Sequence, residues 1–157
     1  MPADAAQRVF ELPDEEATQA LARGLAGQLR PSDVVALAGD LGAGKTAFAR
    51  AVIQALAGED EEVPSPTFTL VQVYDAPVAQ IWHFDLYRLS DPWEVVELGW
   101  DEAREGVCLV EWPDRLGPML PAERLDLGLE ILGGERRRAT LAGTGSWAAR
   151  LDAVAPA

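Results

Sequence analysis

The sequence predicts a single α/β domain spanning residues 1–157, with a mixed parallel and antiparallel sheet flanked by helices. Three observations predict it. Short apolar runs of strand length alternate with segments whose apolar residues recur every four positions. Some consecutive strand-like runs are separated only by turn residues, at hairpin spacing. The 157 residues suit one hydrophobic core and leave little room for a second.

The elements follow in order. A short apolar stretch, Val9 to Leu12, precedes Pro13 and Asp14. The run from Asp14 to Leu29 places Ala17, Leu21, Leu25 and Leu29 at four-residue intervals, and its early acids suit the positive end of a helix dipole. Val34 to Ala38 is continuously apolar and reads as a buried strand. It leads through glycine-rich Gly39 to Thr46 into a helix over Thr46 to Leu56. Gly58 and the acids Glu59 to Glu62 end that helix in a loop. Thr69 to Tyr74 and Ala79 to Leu86 read as two strands around a turn near Asp75 to Pro77. Asp91 to Glu105 is predicted helical with a break near Gly99, and Val107 to Val110 is another buried strand. Leu125 to Leu132 and Arg137 to Leu141 form a hairpin across Gly133-Gly134, and Ser146 to Val154 is a terminal helix.

Composition narrows the function classes. Twenty-six acidic against thirteen basic residues give a formal charge of −13. A phosphate-neutralising face needs a basic stripe, so direct DNA binding is not expected. A protein partner with basic surface fits better, with plain solubility as the other reading of the charge. Cys108 is the one cysteine, which excludes an internal disulfide and a cysteine-based zinc site. No apolar run approaches membrane-span length, and Met1 to Val9 is neither basic nor hydrophobic enough for a signal peptide. The expected location is the cytoplasm. Twelve of the thirteen basic residues are arginine, a bias that reads as compositional; against it Lys45 is expected to occupy a position where arginine does not serve.

Lys45 lies in Gly39-Asp40-Leu41-Gly42-Ala43-Gly44-Lys45-Thr46, a full match to G-x-x-x-x-G-K-[ST]. Glycines let backbone N–H groups converge on a phosphate in a turn that side chains would obstruct. The lysine ammonium reaches the terminal phosphates as a compact charge, and the threonine hydroxyl binds Mg²⁺. A buried strand enters the loop and a helix leaves it, so the helix dipole faces the anion. The predicted architecture is therefore the P-loop NTPase fold. A guanine-reading Asn/Thr-Lys-x-Asp motif would need a second lysine, so ATP is favoured.

A magnesium site also needs a carboxylate, usually at the end of a neighbouring strand. Glu111 ends one apolar strand and Asp85 another; either could instead be a solvated strand-end acid. His83, two residues before Asp85, shares its face if strand geometry persists, and reads as a hydrogen-bonding organiser rather than a ligand. Ser65-Pro66-Thr67-Phe68 reads either as a segment able to meet the γ-phosphate or as a proline turn into a strand.

Together Gly39 to Thr46, Ser65-Pro66-Thr67-Phe68-Thr69-Leu70-Val71, His83-Phe84-Asp85-Leu86-Tyr87-Arg88 and Glu111-Trp112-Pro113 resemble, in order and spacing, the bacterial TsaE proteins, formerly YjeE. The resemblance runs from about Pro13 to Pro113. It implies a P-loop ATPase needed for the threonylcarbamoyladenosine modification of tRNA, with ATP and Mg²⁺ as cofactors. Gly42, Ala43, Gly44, Lys45, Thr46 and Ala47 would wrap the phosphates, and Thr46 and Glu111 would hold Mg²⁺, with Asp85 assisting the metal or its waters. Lys45, Asp85, Glu111 and Thr67 would be the catalytic set, Thr67 within a nucleotide-sensing switch from Ser65 to Phe68. Glu15 and Thr18 would lie on the base side, and an arginine among Arg136 to Arg138, Arg136 first, would approach ATP. Trp112 would pack near the site or serve as a structural tryptophan, and Arg88 would supply charge or join a surface ion pair. One departure is plain: Ala47 stands where members usually carry a second Thr or Ser. The implied partners are TsaB and TsaD, with tRNA reached only through them. Hydrolysis is expected to be slow alone and stimulated by that pair. Two other classes share the loop: a small-molecule kinase, hinted at by the arginine cluster, and a nucleotide-gated binding module that does not hydrolyse.

Overall fold

Asp14 starts the first helix by chemistry that the sequence displays. Its carboxylate accepts the Ala17 N–H at 2.8 Å, satisfying a donor that the helix itself cannot, and α1 runs Glu15–Ala26. Glu15 and Glu16 occupy the positive end and Arg23 the negative end. Leu21, Ala22, Leu25 and Ala26 form its buried face. The helix stops at Gly27, short of the predicted Leu29, since Pro31 disfavours helical backbone just ahead of it. Asp14→Ala is expected to cost about 1 kcal/mol of stability, read from the urea midpoint at unchanged slope.

The structure is a computed structural model and describes residues 5–64 and 70–157. Its strands are β1 (Ala5–Leu12), β2 (Val34–Gly39), β3 (Val71–Asp75), β4 (Gln80–Asp85), β5 (Val107–Glu111), β6 (Leu125–Gly133) and β7 (Arg136–Thr144). Between them lie α2 (Lys45–Ala57), α3 (Glu94–Glu97), α4 (Trp100–Ala103) and, after β7, α5 (Trp147–Arg150). One sheet takes the order β1-β7-β6-β2-β5-β4-β3. Its four central strands, β6, β2, β5 and β4, are parallel, while β7 and β3 run antiparallel to their neighbours. The predicted mixed sheet is the one found.

Alternation sorts the central strands onto two cores. Val35, Leu37, Ile81, Val107, Leu109, Leu125 and Leu127 pack against α1 and α2. Val34, Trp82, Phe84, Cys108 and Val110 face the other way, against Val95, Trp100, Ala103 and Leu116. Parallel pairing brings the C-terminal ends of β2, β4 and β5 to one edge, with Leu37 opposite Glu111 and Glu111 opposite Asp85. Ligand sites of open α/β sheets lie at such edges.

Three element predictions are corrected. β1 begins at Ala5 rather than Val9, because all eight of its residues pair with β7 although the edge strand buries only Leu12 fully. Asp91 to Glu105 forms two single turns, α3 and α4, split where Gly99 takes a left-handed conformation (φ 96°) against the Trp82 ring. The terminal helix shrinks to α5 and a 3-10 turn, Leu151–Ala153. Arg150 locks that end by pairing with both Asp33 carboxylate oxygens at 2.7 Å. A 3-10 segment, Pro113–Met119, was not foreseen, since its prolines and glycine carry no helical period.

Candidate functional site at the edge of the sheet

At the end of β2 the chain turns where only glycine fits. A Cβ on Gly39 would stand 2.6 Å from the Leu129 carbonyl oxygen, and Gly39, Gly42 and Gly44 all have positive φ. Gly44 then caps α2, whose first residue is Lys45. The loop leaves the N-terminal turn of a thirteen-residue helix open at the sheet edge. A cavity of about 300 Å³ there is lined by Gly42, Gly44, Lys45, Thr46, Ala47, Asp85, Glu111 and Trp112, with Leu41 at its rim.

Lys45 is buried, and its Nζ donates to the Gly39 carbonyl oxygen at 2.5 Å. The same ammonium lies 3.7 Å from the Trp112 ring centroid, within cation–π range. Trp112 reaches that position through a left-handed backbone (φ 58°), uncommon for a residue with a side chain, directly after Glu111. Burial pushes the Lys45 pKa below its ordinary value, and the carboxylates of Glu111, Asp85, Asp40 and Asp114 pull it back up.

Thr46, next on α2, donates to Glu111, with Oγ1 at 2.8 Å from Oε1 and 3.0 Å from Oε2. On its other side Glu111 Oε2 lies 2.6 Å from His83 Nε2, and both side chains are buried. Asp85, opposite Glu111 in register, accepts the Tyr87 N–H at 3.2 Å. Burial raises the Asp85 pKa; the Tyr87 N–H lowers it, Glu111 adds to the rise, and His83 and Lys45 oppose it.

This donor set fits a hard divalent cation. Thr46 hydroxyl, Glu111 carboxylate and the nearby Asp85 are all oxygen donors, as Mg²⁺ prefers. Among the described residues no group of three His, Cys, Asp or Glu could hold a metal alone. A magnesium ion shared between protein and phosphate needs only one or two protein oxygens.

Glu15 and Thr18, expected on the base side, line a second cavity of about 190 Å³ together with Ala43, Gly44, Ala47, Glu135 and Arg137. Glu15 and Thr18 sit there on the first turn of α1. Arg136 is exposed at the hairpin and does not line this cavity, whereas Arg137 does. Arg137 Nε donates to the Ala43 carbonyl at 3.0 Å, and its Nη2 to Gly42 at 3.4 Å. Strand parity explains the difference. Arg137 shares a face with buried Ala139 and Leu141, which pack on the α1 and α2 side, whereas Arg136 faces away. Arg138 pairs outward with Glu11 and Glu130.

Of the other expectations, Trp112 lies in the site, and Arg88 lies on the exposed turn after β4. Thr67, with Ser65, Pro66 and Phe68, lies outside the described residues. Sequence reasoning missed two contacts, those of His83 to Glu111 and of Lys45 to Trp112. The alternation His83, Asp85 along β4 signalled a shared face, but not which residue of β5 the imidazole meets.

A family model described as threonylcarbamoyl adenosine biosynthesis protein TsaE matches residues 12–139. Curated proteins named tRNA threonylcarbamoyladenosine biosynthesis protein TsaE are similar over most of their length. The one from Rickettsia felis is 41% identical over 142 residues, covering 90% of this chain and 83% of that protein. The one from Bacillus subtilis is 41% identical over 133 residues, covering 83% and 82%. Among solved structures, that of Bacillus subtilis YdiB matches with a TM-score of 0.79 at 33% identity, over 94% of this chain and 93% of that one.

Proposed function

The chain belongs to the TsaE family and so to the biosynthesis of threonylcarbamoyladenosine in tRNA, and from that premise we propose that it is a Mg²⁺-dependent ATPase that works in the cytoplasm with TsaB and TsaD. The observation that carries the reading is the juxtaposition of three groups. Lys45 stands at the mouth of a glycine loop, and the Thr46 hydroxyl and Glu111 carboxylate meet within 3.0 Å beside it. A site for small molecules in general would not require a lone lysine, a hydroxyl and a carboxylate in this order.

In this reading Gly42 to Ala47 offer backbone N–H groups and the α2 dipole to the phosphates. Lys45 exchanges the Gly39 carbonyl for phosphate oxygens and concentrates positive charge where negative charge builds during transfer. Thr46 and Glu111 would hold Mg²⁺, which supplies charge neutralisation at the terminal phosphates. Asp85 is positioned to orient water beside them, and Arg137 steadies the loop by gripping the carbonyls of Gly42 and Ala43. Ala47 contributes its N–H without a hydroxyl, which predicts looser nucleotide binding than a threonine would give. Glu15 and Thr18 border the space for ribose and base.

Arg137 is held at the loop and Arg138 by surface acids, which weakens the case for a kinase whose lid would use them. The acidic surface supports a protein partner over direct capture of tRNA. Among the described residues no helix is long and apolar enough to cross a membrane.

The test is phosphate release from ATP with Mg²⁺, as TsaB and TsaD are titrated in. Slow release by the chain alone and marked stimulation by the pair are expected. Equal rates with and without the partners, once a complex is shown to form, would refute the coupling. Absence of nucleotide-dependent release in either state would leave a binding module instead.

A further inference from the structure

We propose that His83 is a positioning residue that holds the Glu111 carboxylate in the orientation needed for divalent-cation binding; this rests on Glu111 being a metal ligand. The two side chains come together through strand geometry. His83 on β4 lies opposite Leu109 on β5, and Glu111 is the next residue along β5 on that same face. The imidazole therefore reaches diagonally to the carboxylate rather than directly across, and its Nε2 stops 2.6 Å from Oε2.

That contact needs one proton between nitrogen and oxygen, since an ionised carboxylate carries only acceptors. The imidazole must present its N–H at Nε2. With Oε2 held by this donor and both oxygens within 3.0 Å of the Thr46 hydroxyl, the carboxylate has little freedom to rotate. A carboxylate with free torsions must be ordered each time a cation binds; one already braced from behind need not be.

The alternative is a histidine that merely fills the core. His83 is fully buried between positions occupied by apolar Ile81 and, across the strand, Leu109. Its Nδ1 has no hydrogen-bond partner among the described residues. A core-filling role would be served better by an apolar side chain, which leaves no buried nitrogen unpaired. Among the described residues, Glu111 is the hydrogen-bond partner that needs the imidazole. The polar group serves the carboxylate, at the cost of an Nδ1 unpaired among the described residues.

The experiment follows the Mg²⁺ requirement for binding a fluorescent, non-hydrolysable ATP analogue to the full chain, with folding checked by circular dichroism and thermal melting. His83→Leu removes the donor at similar bulk. His83→Gln places an amide N–H near the position of Nε2, whereas His83→Asn places one near Nδ1. The Leu variant should need about ten-fold more Mg²⁺ for half-saturation, while its affinity for the analogue without metal stays within about two-fold. The Gln variant should recover most of the difference and the Asn variant little of it. A structural role alone would lower the melting temperature of all three without separating Gln from Asn in Mg²⁺ requirement.

Glu111→Gln in parallel separates the two levels of the claim. If Glu111→Gln raises the Mg²⁺ requirement and His83→Leu does not, the positioning role is overturned and the metal reading stands. If Glu111→Gln leaves the requirement unchanged, the metal reading fails and the positioning role with it. Should the Leu variant fail to fold, equal Mg²⁺ requirements in the Gln and Asn variants overturn the proposal.

Discussion

Lys45→Arg is expected to abolish useful ATP turnover, although it preserves the charge. The reason is the shape of the pocket in which the ammonium sits. Nζ is buried, donates to the Gly39 carbonyl at 2.5 Å and lies 3.7 Å from the centre of the Trp112 ring. A guanidinium is planar, wider and fixed in a fork, so it cannot enter the loop where a compact ammonium fits. Loss of one preorganised donor at developing charge typically reduces rate by about 10²–10³, and a misplaced guanidinium adds steric conflict with the loop. The measurement pairs phosphate release with titration of an ATP analogue, and a melting curve confirms the fold. Lys45→Ala should fail in the same assays. Full activity with arginine would remove the case that the lone lysine is there for phosphate.

Glu111→Gln should reduce Mg²⁺-dependent hydrolysis at least about 10²-fold while nucleotide binding persists in part. The substitution keeps the shape of the side chain but replaces an ionised oxygen by an amide nitrogen. Thr46, which now donates to both carboxylate oxygens at 2.8 and 3.0 Å, keeps at most one acceptor. The loop N–H groups and Lys45 are untouched, so the other contacts proposed for the phosphates would remain. A titration of rate against Mg²⁺ reads the effect. Unchanged metal dependence would transfer the role to Asp85, which faces Glu111 across the β4–β5 pair.

Much of the site was legible in the chain because its parts are local. Gly39 to Thr46 is eight consecutive residues whose function depends on backbone freedom and helix entry, both written in residue type. Strand-end acids are equally visible, since an apolar run that stops at Glu111 or Asp85 leaves the carboxylate at an edge. Which hairpin arginine lies beside the loop was not legible, because Arg136 and Arg137 differ only in strand parity. Parity is set by where the hairpin closes, and a register shift between Ile131 and Gly133 decides that. The shortness of α3, α4 and α5 was also hidden: sequence period resembles a helix, while packing against Trp82 and the Asp33–Arg150 pair decides where each turn stops.

By itself the sequence determined the α/β class, the glycine loop, the candidate acids and the resemblance to a family, because each is encoded within a few neighbouring residues or in their order. Tertiary structure alone decided which groups meet. Thr46 and Glu111 are 65 residues apart in sequence, and His83 and Glu111 are 28 apart. They touch only because β2, β4 and β5 pair in parallel and end together. Side-chain chemistry is a property of the residue, but contact between distant residues is a property of strand order and register. Those are chosen by burial of both sheet faces at once, which no single segment specifies.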